Sequence, residues 1–97
     1  MESGALRVFV ALCRERSFSG AAARLYTSHS QVSRTLSALE GELGARLVER
    51  NNRFLGLTPA GERLLVLSEA VLERMDAITP EALESAEPAK NGEEESM

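Results

Sequence analysis

A chain of 97 residues has room for one domain with a small core, and none for a separate ligand-sensing domain. No apolar run is long enough to span a bilayer and no signal-peptide pattern opens the chain, so a cytoplasmic protein with no membrane partner is expected; the single Cys13 excludes an internal disulfide. The formal charge of −4 is unevenly spread: residues 1–80 hold ten Arg against nine Asp or Glu, and residues 81–97 one Lys against six Glu. The acidity therefore belongs to the tail, and the rest is close to neutral, short of the strongly basic footprint of a tight nonspecific nucleic-acid binder.

The first element expected is a helix from Ala5 to about Arg16. Leu6, Phe9, Val10 and Cys13 fall on one face and Arg7, Arg14, Glu15 and Arg16 largely on the other. On that apolar face Cys13 reads as a small buried hydrophobe rather than a reactive thiol. Ser17 or Ser19 can cap a second, short helix over residues 19–25, with Phe18 as an apolar staple. Its Ala21, Ala22 and Ala23 leave so little bulk that another helix can cross closely over it.

Tyr26, Thr27 and Ser28 make a turn, and Thr27 or Ser28 can cap the next helix. In that helix Val32, Leu36, Leu39 and Leu43 recur at spacings of four, three and four and form its core face. Near its start lie His29, Ser30, Gln31, Ser33 and Arg34, with no carboxylate among them. Short donors, an amide and one guanidinium suit a helix entering a DNA major groove, where base edges offer acceptors and amino donors. It reads as a recognition helix, and the free N–H groups at its start also suit a phosphate. Gly44 is placed to end it.

Two short mixed-apolar runs follow, Arg46 to Glu49 and Phe54 to Leu57, separated by Arg50-Asn51-Asn52-Arg53. Asparagine tolerates positive φ, so this reads as a tight hairpin, a wing with arginines at its tip that can reach phosphate or a narrow minor groove. Thr58-Pro59 then opens a long helix to about Ile78, near 30 Å in length, with threonine as cap and proline at the first helical position. Leu64, Leu67, Val71, Met75 and Ile78 line one stripe, widened by Leu65 and Leu72. A small core cannot cover so long a stripe, which predicts packing against a second copy, a homodimer. Thr79-Pro80 is read as the stop, and residues 80–97 as a disordered, solvated acidic tail.

The fold expected is mainly α: a winged helix-turn-helix of three core helices and a two-stranded β wing over residues 1–58, a linker or dimerisation helix over residues 59–79, and the tail. The run of LRVFVAL, SFSGAAARL, SQVSRTLSALEGELGARL, ER and LTPAGERLL resembles the N-terminal DNA-binding domain of LysR-type transcriptional regulators across residues 5–78. Ser17-Phe18, Ala21-Ala22, Leu25, Ser33-Arg34, Leu39-Glu40, Leu43-Gly44, Leu47, Arg50, Leu57-Thr58 and Gly61 agree in order and spacing. The resemblance implies a dimer, joined through the long helix, on pseudo-palindromic double-stranded DNA. It also implies base-reading positions at His29, Ser30, Gln31, Ser33 and Arg34, and wing contacts at Arg50 and Arg53. His29 stands where the family usually has glutamine, which bears on operator sequence; Val48 stands where it usually has phenylalanine, which bears on packing. Family members continue into an effector domain, and these 97 residues are expected to be an isolated DNA-binding domain or a naturally short form, with no small-molecule ligand of their own.

For Arg50 the competing role is a pair with Glu49 or Glu62; Glu40 lies on the wrong side of its helix for DNA and is given a structural role. An enzyme is not expected: the chain has no metal-ligand cluster, no phosphate-binding glycine loop, no cofactor motif, and no orienting group for Ser28-His29-Ser30. The rival reading is a winged helix that binds protein, dimerising with a full-length relative and titrating it off DNA.

Overall fold

A computed structural model describes residues 1–85 and contains, in chain order, α1 (Ser3–Glu15), α2 (Phe18–Arg24), α3 (His29–Leu43), β1 (Val48–Arg50), β2 (Phe54–Leu57), α4 (Pro59–Asp76) and α5 (Pro80–Ser85). The main core lies where α1, α2 and α3 meet the base of a hairpin: Phe9, Leu12, Phe18, Ala21, Val32, Leu36, Leu39, Leu47, Val48 and Phe54 are all buried in it. A satellite cluster of Leu6, Val10 and Leu72, with Leu64 and Leu65 packed against it, fixes α4 to α1.

Each helix end is set by local chemistry. The Ser17 hydroxyl accepts from the Gly20 N–H at 2.9 Å and caps α2; the Ser28 hydroxyl accepts from the Gln31 N–H at 3.0 Å and caps α3. At the far end of α3, Gly44 takes φ 68° while the Gly44 and Ala45 N–H groups both donate to the Glu40 carbonyl. The end of α2 also carries a left-handed residue, here a tyrosine, but two carbonyls accept: Thr27 N–H donates to the Ala22 carbonyl and Tyr26 N–H to that of Ala23, with Tyr26 at φ 57°. Arg16 closes α1 similarly, at φ 52° with its N–H on the Leu12 carbonyl. Ala21 and Ala22 are buried in the core that α2 shares with α1 and α3, but Ala23 is exposed. Leu43, expected on the core face of α3, is 40% exposed, because the helix overshoots the core by its last turn.

β1 and β2 pair antiparallel, Val48 opposite Leu57 and Arg50 opposite Phe54, with an irregularity between Glu49 and Arg50. The turn of Asn51, Asn52 and Arg53 needs no positive φ, contrary to the expectation from its two asparagines. Instead the Asn51 side-chain carbonyl accepts from the Arg53 N–H at 3.1 Å, an Asx turn.

Thr58 performs two tasks at the start of α4. Its hydroxyl accepts from the Gly61 N–H at 3.0 Å and donates to the Arg46 carbonyl at 2.6 Å, so helix cap and hairpin base share one oxygen. α4 runs antiparallel to α1, with Arg7 on Asp76 at 2.7 Å and Arg14 on Glu69 at 3.3 Å, two pairs one heptad apart on each helix. The Arg7 guanidinium holds the Asp76 carboxyl below its ordinary range. These pairs are exposed and contribute little stability; they align the helices. Ser68, almost fully buried on the α1 side of α4, has no hydrogen-bond partner for its hydroxyl among the described residues.

Two expectations change. Leu64, placed in the dimerisation stripe, packs inward against both clusters of its own domain. The chain does not lose its order at Thr79-Pro80: the Thr79 hydroxyl accepts from the Ala82 N–H and α5 begins at Pro80. The remainder of the predicted tail, residues 86–97, lies outside the described residues. Among the described residues no helix is long and apolar enough to cross a membrane.

Candidate nucleic-acid interface

The core face of α3 holds Val32, Leu36 and Leu39 in place, which leaves the opposite face of its first two turns outward. His29, Ser30, Gln31 and Arg34 are exposed there and Ser33 is half-buried between them. Arg34 donates to the Gln31 side-chain oxygen at 3.0 Å, so the one guanidinium and the one amide of this surface are held side by side. The His29 ring lies 5.3 Å from that of Phe18, tilted by 41°, which ties the start of α3 to the start of α2.

The wing arginines separate. Arg53 is exposed in the turn. Arg50 points inward: its guanidinium donates to both oxygens of Glu40, at 2.8 and 3.1 Å, and to the Val48 carbonyl at 3.1 Å. The two side chains are 17% and 11% exposed. Glu40 also accepts from the N–H groups of Leu47, at 2.8 Å, and Val48, at 3.3 Å. One carboxylate on α3 thus gathers three donor groups from β1 and the segment before it, and sets the angle between the helix and the wing. Burial works against its charge, but the Arg50 guanidinium and the two N–H groups outweigh burial and hold its pKa below the ordinary 4.5. The partner of Arg50 is therefore Glu40, not Glu49 or Glu62. The structural role read for Glu40 has a specific form, a brace from helix to wing.

A cleft of about 310 Å³ joins these parts: Arg16, Ser17, Phe18 and Ser19 from the α1–α2 corner, His29 from α3, and Asn52, Arg53 and Phe54 from the wing. Sequence reasoning missed Arg16 and Asn52. Their only sequence signals were a cation directly before the Ser17 cap and an amide at a hairpin tip. Cys13 is half-buried, its thiol pushed up to about 11 by burial and by the Glu69 carboxylate, so it stays protonated and inert near neutrality.

A three-helix core with a two-stranded wing, presenting an acid-free helix start beside that wing, is a winged helix-turn-helix DNA-binding domain. The chain belongs to the bacterial regulatory helix-turn-helix proteins of the lysR family, whose model matches residues 4–62. It is 48% identical over 87 residues to a probable hydrogen peroxide-inducible genes activator of Mycobacterium avium, covering 90% of this chain and 28% of that protein. It is 39% identical over 88 residues to the HTH-type transcriptional regulator YofA of Bacillus velezensis, covering 91% of this chain and 31% of that one. The chain thus spans less than a third of the length of these two relatives. Among solved structures, the DNA-binding domain of BenM in complex with benA site 1 DNA superposes with a TM-score of 0.80 at 35% identity, covering 89% of this chain and all of that one. The CbnR DNA-binding domain in complex with DNA gives 0.75 at 36% identity, covering 78% and 87%.

Proposed function

We propose that this chain is the part of a cytoplasmic LysR-type regulator that reads a specific double-stranded DNA sequence, and that it does so as a homodimer. The observation that carries the reading is the carboxylate-free start of α3, with Arg34 and Gln31 already hydrogen-bonded side by side, next to an exposed wing arginine. The two related domains solved on DNA support it. Arg34 is assigned to a base edge, where a guanidinium fork onto guanine is the commonest specific contact. His29, Ser30, Gln31 and Ser33 are assigned to bases or adjoining phosphates and Arg53 to the backbone. Arg50 is assigned to holding the wing, since its guanidinium is engaged by Glu40.

Arg34→Ala is expected to weaken binding to the specific site by roughly 1 to 3 kcal/mol and to leave affinity for unrelated DNA much less changed. Titration of wild type and variant against DNA from upstream of the chain's own gene and a scrambled duplex measures both. Equal binding by the variant would move the reading to the protein-binding alternative, in which the chain pairs with a full-length relative.

The homodimer rests on α4. Leu67, Val71 and Met75 on α4 remain exposed, Leu67 at 57%, and Ile78, also exposed at 70%, lies two residues past the end of α4 at Asp76, short of the helix to Ile78 that its spacing predicts. A continuous apolar stripe of this kind marks an association surface. Wild type is expected to sediment as a dimer at micromolar concentration and Leu67→Glu as a folded monomer; a monomeric wild type would refute the homodimer.

A further inference from the structure

Arg16 stands in a conformation that its side chain does not favour. It ends α1 at φ 52°, a left-handed position that glycine or asparagine adopts more readily. Strain of this kind persists where something else depends on the residue. The guanidinium is set over the Phe54 ring, 5.1 Å from its centroid, at the base of the wing turn. It thereby lines the cleft that also contains His29, Arg53, Asn52 and Ser19.

The lining is distinctive in charge. Among the described residues, the side chains forming this cleft include two guanidinium groups and one imidazole and no carboxylate. Three other surface grooves differ: that between α1 and α4 includes Glu69, Glu73 and Asp76, that between α1 and α3 includes Glu2 and Glu42, and that beneath the wing includes Glu40. Arg7, Arg14 and Arg24 each pair with a carboxylate on a neighbouring element, and Arg50 is held by Glu40. Arg16 is instead positioned by an aromatic face, which orients a cation without neutralising it.

We propose that this cleft seats one DNA backbone phosphate, with Arg16 as its principal cation and Arg53, Ser19 and Asn52 as accessory donors. The proposal rests on the DNA-binding reading above and adds a contact from the α1–α2 corner to those of α3 and the wing. Because a phosphate carries no sequence information, Arg16 contributes affinity and register to every duplex alike, whereas Arg34 contributes discrimination.

The test uses the whole chain and fluorescently labelled duplexes, upstream and scrambled, titrated at several salt concentrations. Arg16→Asn is the variant, since asparagine accepts the left-handed backbone, and its melting curve verifies the fold. Arg74→Gln removes the same charge from the last turn of α4. The expected result is a roughly tenfold loss of affinity for both duplexes with Arg16→Asn, and a log–log salt slope shallower by about 0.9 per protomer, while Arg74→Gln leaves the slope unchanged. A folded Arg16→Asn protein with wild-type affinity and slope would overturn the proposal alone, as would equal losses from both variants. Inorganic phosphate shifting the amide resonances of Arg16 and His29, with DNA affinity of Arg16→Asn intact, would make the cleft a free-anion site and also overturn it. Failure of wild type to bind either duplex at low salt would overturn the DNA-binding reading itself.

Discussion

Glu40→Ala is expected to cost about 3 kcal/mol of folding stability, the lower end of what is lost when one partner of a buried pair is removed. The carboxylate accepts from Arg50 through both oxygens and from the Leu47 and Val48 N–H groups, so its loss takes an acceptor from three donor groups on and beside β1, of which Arg50 keeps the Val48 carbonyl. Leu47 and Val48 are themselves buried, and water reaches their N–H groups poorly. Arg50→Ala should cost clearly less, because Glu40 keeps its two backbone donors. Chemical denaturation of the two variants measures the asymmetry, and equal costs would show that the ion pair, not the backbone bonds, is what matters. The brace also has an acid limit. Because the folded-state pKa of Glu40 lies below 4.5, its contribution is complete above that pH and disappears as pH falls through the lower folded-state value. Glu40→Gln should remove that part of the acid sensitivity. Since the brace sets the angle of the wing, Glu40→Ala should also weaken DNA binding while the surface of α3 stays unchanged.

Gly61→Ala is expected to destabilise the domain by about 3 kcal/mol, the upper part of the range for forcing atoms into a packed interior. A Cβ at this position would sit 2.0 Å from the Leu47 carbonyl oxygen and 3.0 Å from its carbon. Neither side can yield cheaply. The Leu47 carbonyl accepts from the Thr58 N–H at 3.1 Å, the preceding Arg46 carbonyl accepts from the Thr58 hydroxyl, and the Leu47 side chain is buried. Relief requires the first turn of α4 to lift from the base of the hairpin, which breaks the Thr58 cap. For a domain of this size the loss corresponds to a melting midpoint lower by roughly 12 to 24 °C. Gly41→Ala is the control: a Cβ there meets nothing within 4 Å, and the change should stabilise α3 by about 0.5 to 1 kcal/mol. Thermal melts of both variants suffice. A Gly61→Ala protein as stable as wild type would show that the α4–hairpin junction is looser than its contacts imply.

These two sites mark where sequence reasoning stopped. The cap at Thr58, Gly44 at the end of α3, the core positions Val32, Leu36 and Leu39 and the strand Phe54–Leu57 follow from patterns within a few residues, whereas the sequence leaves Ser17 or Ser19 and Thr27 or Ser28 open as caps, puts Leu43 in the core and starts the first strand two residues early. The Glu40–Arg50 brace joins residues ten apart on different elements, and the Gly61–Leu47 contact joins a helix to the segment before a strand; no local period encodes either. The resemblance gave Glu40, Arg50 and Gly61 their importance without giving the reason for it. Arg50 borders the turn, which by sequence places it at the wing tip, but the irregularity at Glu49 and Arg50 accompanies a side chain turned toward α3. Helical spacing alone puts Leu64 on the outer stripe; α1 covers the adjoining side of α4 and takes it into the core. Thr79-Pro80 follows an apolar helical run and so suggests a stop, although Thr58-Pro59, the same pair of residues, suggests a start. In the structure both are starts.

We propose that the face formed by α3 and the wing reads a DNA sequence. It is tested most directly by fluorescence anisotropy of the whole chain against DNA from upstream of its own gene and a scrambled duplex, from low to moderate salt. The expected result is preference for the upstream duplex that persists as salt rises, since base contacts depend less on released counterions than phosphate contacts do. Equal affinity for the two duplexes that falls away together as salt increases, or no binding at low salt, would contradict it.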